Sequence, residues 1–434
     1  MKLKISNFAK IEKADINIDG ITVICGDNDT GKSTIGKILF SIFNYDNFKK
    51  VRIRNDFRSK LYQTLTRYIF KNKIEHHYFE IMDNIFNNVD YPYNEINRDK
   101  LYNILKKNIP DKIFQNMNDE TICKAADDIL KVMSTSEDKL KFQIMSDYFE
   151  NIFEYQINNL FNKNENAELE LEIKNQKMNI EFKNDECVKF DSDFNIINNA
   201  FYIDNPFIIN DVSSIIDDVS SIIDDVNNEI DIYYFFLEKT IYDFVSDNNK
   251  NVFDSVRNKE ILEKVYDVLN SVMNAKIINK NKEFYLHYND NNTEIKLQNL
   301  SAGLKSFVII KRLLENGSLN EKDVLILDEP EIHLHPKWQL IYAELIVLLQ
   351  KYFNLTITIT THSHYFLEAI NRFSKRHNID ERVNFYITEL SENQSNVIFK
   401  NVNDNLDIIY EKMYEPLEIL SNMREEQDNG KNNP

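Results

Sequence analysis

The chain has 434 residues, only seven of them glycine, and a formal net charge of −18 at pH 7. Its surface as a whole therefore repels nucleic acid, so any contact with DNA has to be local. No apolar run is long enough to cross a membrane and the first residues lack the apolar core of a signal peptide, so we expect a soluble, cytoplasmic protein. Three scattered cysteines indicate reduced thiols and no disulfide framework.

The stretch ICGDNDTGKST, residues 24–34, matches the phosphate-binding loop pattern, with Gly26, Gly31, Lys32 and Ser33 at its fixed positions. The β-branched run ITVIC precedes it and helical apolar spacing follows it, so the order is strand, loop, helix. Backbone N–H groups and the helix N-terminus of such a loop face phosphates. We expect Lys32 to reach the β- and γ-phosphates and Ser33 to bind Mg²⁺. The predicted nucleotide contacts in the loop are Gly26, Asp27, Asn28, Asp29, Thr30, Gly31, Lys32, Ser33 and Thr34.

Hydrophobic patterns divide the chain into six predicted segments. The first part of an α/β head holds the loop and is followed by a long helical insertion, further head strands, an acidic helical arm, the second part of the head, and a C-terminal helix with a polar tail. The predicted boundaries are 1–47, 48–160, 161–205, 206–275, 276–400 and 401–434 in that order.

Two segments of the middle region leave their roles open. FKKVRIRNDFRSK, residues 48–60, is strongly basic, which suits either a solvated helix face or a local contact with nucleic acid or a partner. DVSSIIDDVSSIIDDVNNEID, residues 211–231, repeats every seven residues and places its apolar side chains on one helix face. This acidic helix either packs on its own subunit or forms an arm for docking or dimerisation.

Two later apolar runs end in groups suited to phosphate chemistry. VLILDE predicts a central strand, buried on both faces, that delivers Asp328 and Glu329 to the carboxyl edge of the sheet. TITITTHS is a second such strand and ends in His362, which can donate to the γ-phosphate. We predict that Asp328 and Ser33 hold Mg²⁺, and that Glu329, as the base for the attacking water, acts with His362 and Lys32 in catalysis.

Together these motifs resemble the ABC-class ATPases, in the branch that contains the SMC, Rad50 and RecF-like proteins and the OLD-like prokaryotic defence ATPases. LSAGLKS, residues 300–306, looks like that branch's signature motif, with Ser301, Gly303 and Lys305 on matching positions. LDEPEIHLHPKWQ is very similar to the Walker B and D-loop segment of the OLD-like group, and NFAKIEKADI resembles its opening strand pair. The resemblance covers about residues 1–45 and 276–400.

The resemblance implies an α/β fold with an ABC-type P-loop ATPase head, here with a large helical insertion and an acidic helical arm. It also implies a head-to-tail homodimer with two ATP molecules, each completed by Ser301 and the Gly303 amide of the other subunit. No glutamine follows AFYID, where the family's Q-loop is expected, and Asp204 or Asn205 is the candidate substitute.

The chain is most similar to ATPase subunits of bacterial anti-phage systems such as Septu, PARIS or certain retrons. This implies a magnesium-dependent ATPase, a clamp or sensor, that dimerises around ATP and controls a separate effector. We expect that effector to be a nuclease, because the chain has no nuclease signature of its own. Two alternatives stay open: a DNA repair ATPase of the RecF or Rad50 type, which the acidic charge disfavours, and an ATP-binding scaffold with negligible hydrolysis, which the missing glutamine favours.

Overall fold

A computed structural model of the chain describes most of its residues. The described ranges are 1–68, 97–108, 119–133, 137–162, 164–210, 236–237, 240–241, 263–280, 283–288, 292–392 and 395–431. Of the predicted acidic arm, residues 206–210, 236–237, 240–241 and 263–275 are described, and the rest, including its seven-residue repeats, lies outside these ranges.

Strands and helices alternate along the second half of the chain, as parallel sheets require. The strands are β1 (Lys2–Phe8), β2 (Ile11–Asn17), β3 (Ile21–Cys25), β4 (Ala167–Ile173), β5 (Gln176–Lys183), β6 (Glu186–Ser192), β7 (Ala200–Ile203), β8 (Ala275–Lys280), β9 (Glu283–Tyr288), β10 (Thr293–Lys296), β11 (Val324–Asp328), β12 (Thr356–Thr361), β13 (Val383–Leu390) and β14 (Val397–Asn401). The helices are α1 (Lys32–Tyr68), α2 (Arg98–Asn108), α3 (Asp119–Met133), α4 (Glu137–Phe153), α5 (Ala302–Glu315), α6 (Pro336–Phe353), α7 (His364–Arg376) and α8 (Asp407–Lys431).

One eleven-stranded sheet organises the head, in the order β6-β5-β4-β1-β2-β14-β13-β3-β12-β11-β7. Its last five strands run parallel to one another. Their apolar runs are buried on both faces, which is why VLIL and ITVIC read as continuous and not alternating patterns. The parallel strands end at one edge, and the expected α/β fold with a strand-loop-helix P-loop is confirmed.

The antiparallel part of the sheet follows from alternation in the sequence. In β4 and β5, buried and more exposed side chains alternate, because one face of the hairpin packs on the core. Lys174 and Asn175 make the turn with φ of 48° and 67°, as the sequence predicts near Asn175. A separate three-stranded antiparallel sheet, β10-β9-β8, joins the core beside α5.

The chain forms two compact units, residues 1–44 with 149–434, and residues 45–148. The first unit contains both sheets and helices α5 to α8. In the second, the described helical turns bury apolar side chains such as Leu101, Leu105 and Ile122. No helix among the described residues is long and apolar enough to span a membrane.

Candidate nucleotide-binding site

The phosphate loop connects the buried strand β3 to helix α1, and its glycines are required by space and by backbone geometry. Gly26 has φ of 152°, and a Cβ there would lie 1.7 Å from the Thr388 hydroxyl oxygen on β13. Gly31 has φ of 73°, a left-handed conformation that favours glycine. The two glycines therefore hold the backbone close to the neighbouring strand, with the loop ending at the N-terminus of α1.

Hydrogen bonds inside the loop fix its lysine. The Lys32 ammonium donates to the Asp27 carbonyl at 2.6 Å, and the Thr30 hydroxyl donates to the same oxygen at 2.7 Å. Thr30 is held in turn by Thr388, with 2.8 Å between the two hydroxyl oxygens. Lys32 is buried, and burial lowers its pKa, against the nearby charges of Glu329 and other carboxylates, which raise it.

Asp328 lies at the centre of the site, at the end of β11. Its Oδ1 accepts from Ser33 at 3.0 Å and from the Thr360 hydroxyl, and its Oδ2 accepts from the Tyr202 hydroxyl at 2.6 Å. These partners come from α1, β12 and β7, so the register of the parallel strands sets the geometry. A carboxylate and a hydroxyl side by side are hard oxygen ligands of the kind that Mg²⁺ prefers. The residues present therefore fit the predicted metal.

Glu329 and His362 lie beside each other at the same edge. His362 Nε2 is 3.0 Å from Glu329 Oε1, with both side chains about one third exposed. Burial first, and the Lys32 charge second, lower the pKa of His362, so the ring is neutral at neutral pH. Glu329 has a left-handed φ of 48°, held by its N–H, which donates to both oxygens of Thr360.

A third carboxylate at this edge, Glu331, was not among the residues predicted from the sequence. It is buried, and its Oε1 accepts from the Thr361 hydroxyl at 2.6 Å and from the His362 N–H at 2.9 Å. Its Oε2 has no hydrogen-bond partner among the described residues. Burial raises the pKa of this carboxyl. Glu331 thus fixes the backbone on which His362 is carried.

Each signature residue makes a structural contact within its own subunit. The Ser301 hydroxyl caps α5 by accepting from the Leu304 N–H at 3.4 Å. A Cβ on Gly303 would lie 2.8 Å from the His333 carbonyl oxygen, so this glycine allows the helix to pack closely. The Lys305 ammonium is buried and donates to Asn210 Oδ1 at 2.7 Å and to the Gln298 carbonyl at 2.9 Å.

The segment after β7 lacks the Q-loop glutamine, and its structure shows how the local side chains are used. Asn205, one of the two proposed substitutes, accepts from the Phe207 N–H at 2.9 Å through its side-chain oxygen. It thereby begins the 3₁₀ turn Pro206–Asn210. The residue of this region that reaches Asp328 is Tyr202 on β7.

The site residues predicted from the sequence are those at the ends of apolar strands. The residues that strand register brings to the site were not predicted. Thr360 could have been found, because a hydroxyl near the end of a β-branched strand follows the same logic as His362. Glu331 lies within the quoted LDEPE segment but has no spacing rule to single it out. Nothing in the local sequence marks Tyr202 or Thr388, which reach the site from neighbouring strands.

Comparison with known proteins gives a family and distant relatives. Residues 1–367 match the family model described as AAA ATPase domain. The retron Vc95 probable ATPase of Vibrio cholerae serotype O1 biovar El Tor is 28% identical over 174 residues, which is 37% of this chain and 32% of the relative. The match thus spans about a third of the length of this curated relative.

Among solved structures, the SMC head bound to the C-winged helix domain of ScpA is 12% identical, covers 94% of this chain and 98% of its own, and gives a TM-score of 0.43. The SMC head domain from Thermotoga maritima is 12% identical, covers 92% and 98%, and gives 0.37. Because both TM-scores are below 0.5, this structural similarity supports no assignment of fold or function to this chain. The family match, by contrast, extends over most of the chain, and the chain belongs to the AAA ATPase domain family.

Proposed function

We propose that this protein binds ATP with Mg²⁺ and hydrolyses it, and that a second copy completes each site with its signature segment. The observation that carries the proposal is the set of contacts at the sheet edge: Ser33 with Asp328, and Glu329 with His362, beside a glycine loop that holds Lys32. This combination supplies a phosphate cradle, a metal position and a base within one edge.

Each residue has a role that follows from its position. Lys32 offers a positive charge to the β- and γ-phosphates, and Glu329 accepts a proton from the attacking water, which contributes roughly 10²- to 10⁴-fold in rate. Neutral His362 donates from Nε2 in the tautomer that protonates this nitrogen, either to Glu329 or to a γ-phosphate oxygen. Mg²⁺, held by Ser33 and Asp328, would neutralise charge on the phosphates.

The first experiment measures nucleotide affinity and phosphate release for the wild type and Glu329→Gln. We expect the wild type to hydrolyse ATP and the variant to bind it without turnover. Glu381→Gln is the matched control, since this exposed glutamate precedes β13, at the opposite end of the parallel strands. A wild type that neither binds nor hydrolyses ATP would contradict the proposal. Binding with no turnover in the wild type would favour the scaffold alternative.

ATP-dependent dimerisation is the second part of the proposal. The hydrolysis-deficient Glu329→Gln protein should accumulate as a dimer with ATP and Mg²⁺, measured by light scattering, and return to monomer without nucleotide. The variant Glu329→Gln/Ser301→Asp should remain monomeric, because a carboxylate at residue 301 would repel the γ-phosphate while still capping α5. A nucleotide-independent mass in both proteins would contradict the shared site.

We further propose that the nucleotide state controls a separate effector, a nuclease, in anti-phage defence. Similarity to a retron ATPase over part of the chain supports this role. Tagged Glu329→Gln, expressed with its neighbouring genes, should co-purify a second polypeptide in an ATP-dependent way. If the purified protein binds DNA instead, with a steep salt dependence and no companion, the DNA repair alternative would replace this proposal.

A further inference from the structure

The phosphate loop carries two carboxylates of its own, and each is paired with a lysine from outside the loop. Asp27 Oδ2 lies 2.8 Å from Lys412 Nζ on α8. Asp29 is paired with Lys10, which lies in the turn between β1 and β2. The two lysines are far from the loop and from each other in sequence, so only the fold brings them together.

The net charge of the loop explains why these two ion pairs matter for binding a triphosphate. The loop at residues 26–34 holds two carboxylates, Asp27 and Asp29, against one ammonium, Lys32. Without further cations the loop is therefore net negative, which opposes the binding of a triphosphate. Lys10 and Lys412 reverse this balance, from one net negative charge to one net positive charge.

Two further contacts place the lysines beside the loop. On one side, a Cβ on Gly31 would lie 3.3 Å from Ile11 Cγ1, so the loop lies against the residue after Lys10. On the other side, the Lys412 ammonium also reaches the Thr388 carbonyl at 3.4 Å, on the strand that touches Gly26.

Helix α8 is itself anchored on the head. Ile409 is buried in the main core, and the Tyr414 ring lies 5.1 Å from the His364 ring at the start of α7. Lys412 lies between these two contacts in sequence. The helix therefore holds Lys412 in place beside the phosphate loop.

We propose that Lys10 and Lys412 are nucleotide-site residues that neutralise the loop's own carboxylates, and that ATP affinity depends on both. The inference rests on the proposed ATP binding and extends the site to the C-terminal helix α8. As ion pairs the two contribute little to folding, since Asp27 and Asp29 are 69% and 79% exposed. They act instead on the affinity for ATP, because without the two lysines the phosphates would lie beside unpaired carboxylates.

The test compares the dissociation constants of ATP with Mg²⁺ by titration calorimetry at two salt concentrations. Lys412→Gln and Lys10→Gln should each weaken ATP binding about five- to fifty-fold at low salt and less at high salt, because each change removes one unit of positive charge beside the phosphate loop. Lys2→Gln is the control: Lys2 pairs with Asp15 at 2.9 Å, at the other end of the β1–β2 hairpin, and its removal should leave affinity unchanged.

Paired substitutions separate charge neutralisation from direct phosphate contact. Lys412→Gln/Asp27→Asn and Lys10→Gln/Asp29→Asn should return the affinity to within about three-fold of the wild type, because each removes the carboxylate that was left unpaired. Asparagine keeps the Asp27 carbonyl that holds Lys32, and it tolerates the positive φ of Asp29, which is 62°.

The outcomes are distinct. The neutralisation role would be overturned if the single variants bind ATP as tightly as the wild type. It would also be overturned if the double variants bind as weakly as the single ones. In both cases, ATP binding by the wild type would still uphold the proposed function. A wild type that binds no ATP would overturn both. Thermal unfolding of every variant, expected within a few degrees of the wild type, checks that the fold is intact.

Discussion

The catalytic edge and the signature helix were both found from short motifs, yet the structure uses their side chains differently. At the catalytic edge, defined here by Ser33, Asp328, Glu329 and His362, the groups that would touch ATP also touch one another. They come from separate elements and are brought together by strand register. The edge is therefore assembled from side chains of one chain.

The signature helix α5 is built by local packing instead. Ser301 caps it, Gly303 allows it to approach the His333 carbonyl, and Lys305 ties it to Asn210. A substitution here changes the fold of the subunit as well as any contact with a nucleotide held by another subunit. The comparison teaches that motif residues at the edge can be tested by simple replacement, whereas signature residues need variants that preserve their structural contact.

The largest expected effect is on turnover at the edge. Glu329→Gln should lower the rate of phosphate release by about 10²- to 10⁴-fold, because the amide cannot take the proton of the attacking water. ATP affinity should stay within about three-fold of wild type, since the side-chain shape is kept. Both are measured on the same preparation. Turnover of Glu329→Gln equal to that of the wild type would show that another residue takes the proton of the attacking water.

Removal of the buried acceptor beside the edge should reduce stability. Glu331→Ala leaves the Thr361 hydroxyl and the His362 N–H without their acceptor, at a cost of about 2–4 kcal/mol in urea unfolding. Glu331→Gln keeps an oxygen acceptor and, at about pH 4.5, should unfold close to the wild type. Equal stability of the alanine and glutamine variants would show that these two hydrogen bonds do not stabilise the fold.

The pH dependence of Glu331 has a definite sign. Burial raises its pKa in the fold, so the protonated form favours folding, and this contribution is complete below the ordinary pKa and lost as pH rises through the folded pKa. The stability of Glu331→Gln relative to wild type should therefore increase as pH rises from about 4.5, near the ordinary value of a glutamate. Urea unfolding across this range measures it, and a difference that shrinks with pH would contradict the assignment.

A smaller effect is expected at the signature helix. Lys305→Met removes a buried ammonium that donates to Asn210 and Gln298, and should cost about 1 kcal/mol, because relief of the charge burial offsets part of the lost bonds. Lys375→Met, at an exposed position of α7, is the control and should be neutral. A stability loss of several kcal/mol would mean that Lys305 anchors far more of the fold than its two contacts indicate.

The smallest effect concerns the protonation of His362. Because burial and then Lys32 lower its pKa, the ring stays neutral as pH falls to about 6.5, the ordinary value, and protonates only below it. The kcat/KM for ATP, which reports the nucleotide-free enzyme, should therefore hold level from pH 8 to this point and then decline, and the residual activity of His362→Gln should show a weaker decline. A decline in activity centred above pH 7 would contradict a lowered pKa of His362.

Much of the head could be predicted because its signals are local. The scarcity of glycine made residues 26 and 31 informative, and continuous apolar runs identified the buried strands that end in Asp328 and His362. Lys10 and Lys412 could not be predicted as loop partners, since surface lysines have no pattern and their positions depend on how α8 and the first hairpin pack. The seven-residue repeats of the acidic arm lie outside the described residues, so their helix stays a prediction.

The most direct test of the account is a mixing experiment with two inactive variants. Lys32→Met disables the phosphate loop, and Ser301→Asp keeps the cap of α5 but places a carboxylate where the γ-phosphate of the other subunit is expected. Each alone should hydrolyse ATP negligibly, and an equal mixture should recover up to about a quarter of wild-type activity, because half of the dimers are mixed and each has one intact site. A mixture as inactive as its components, or full activity of Ser301→Asp alone, would contradict a site shared between two copies.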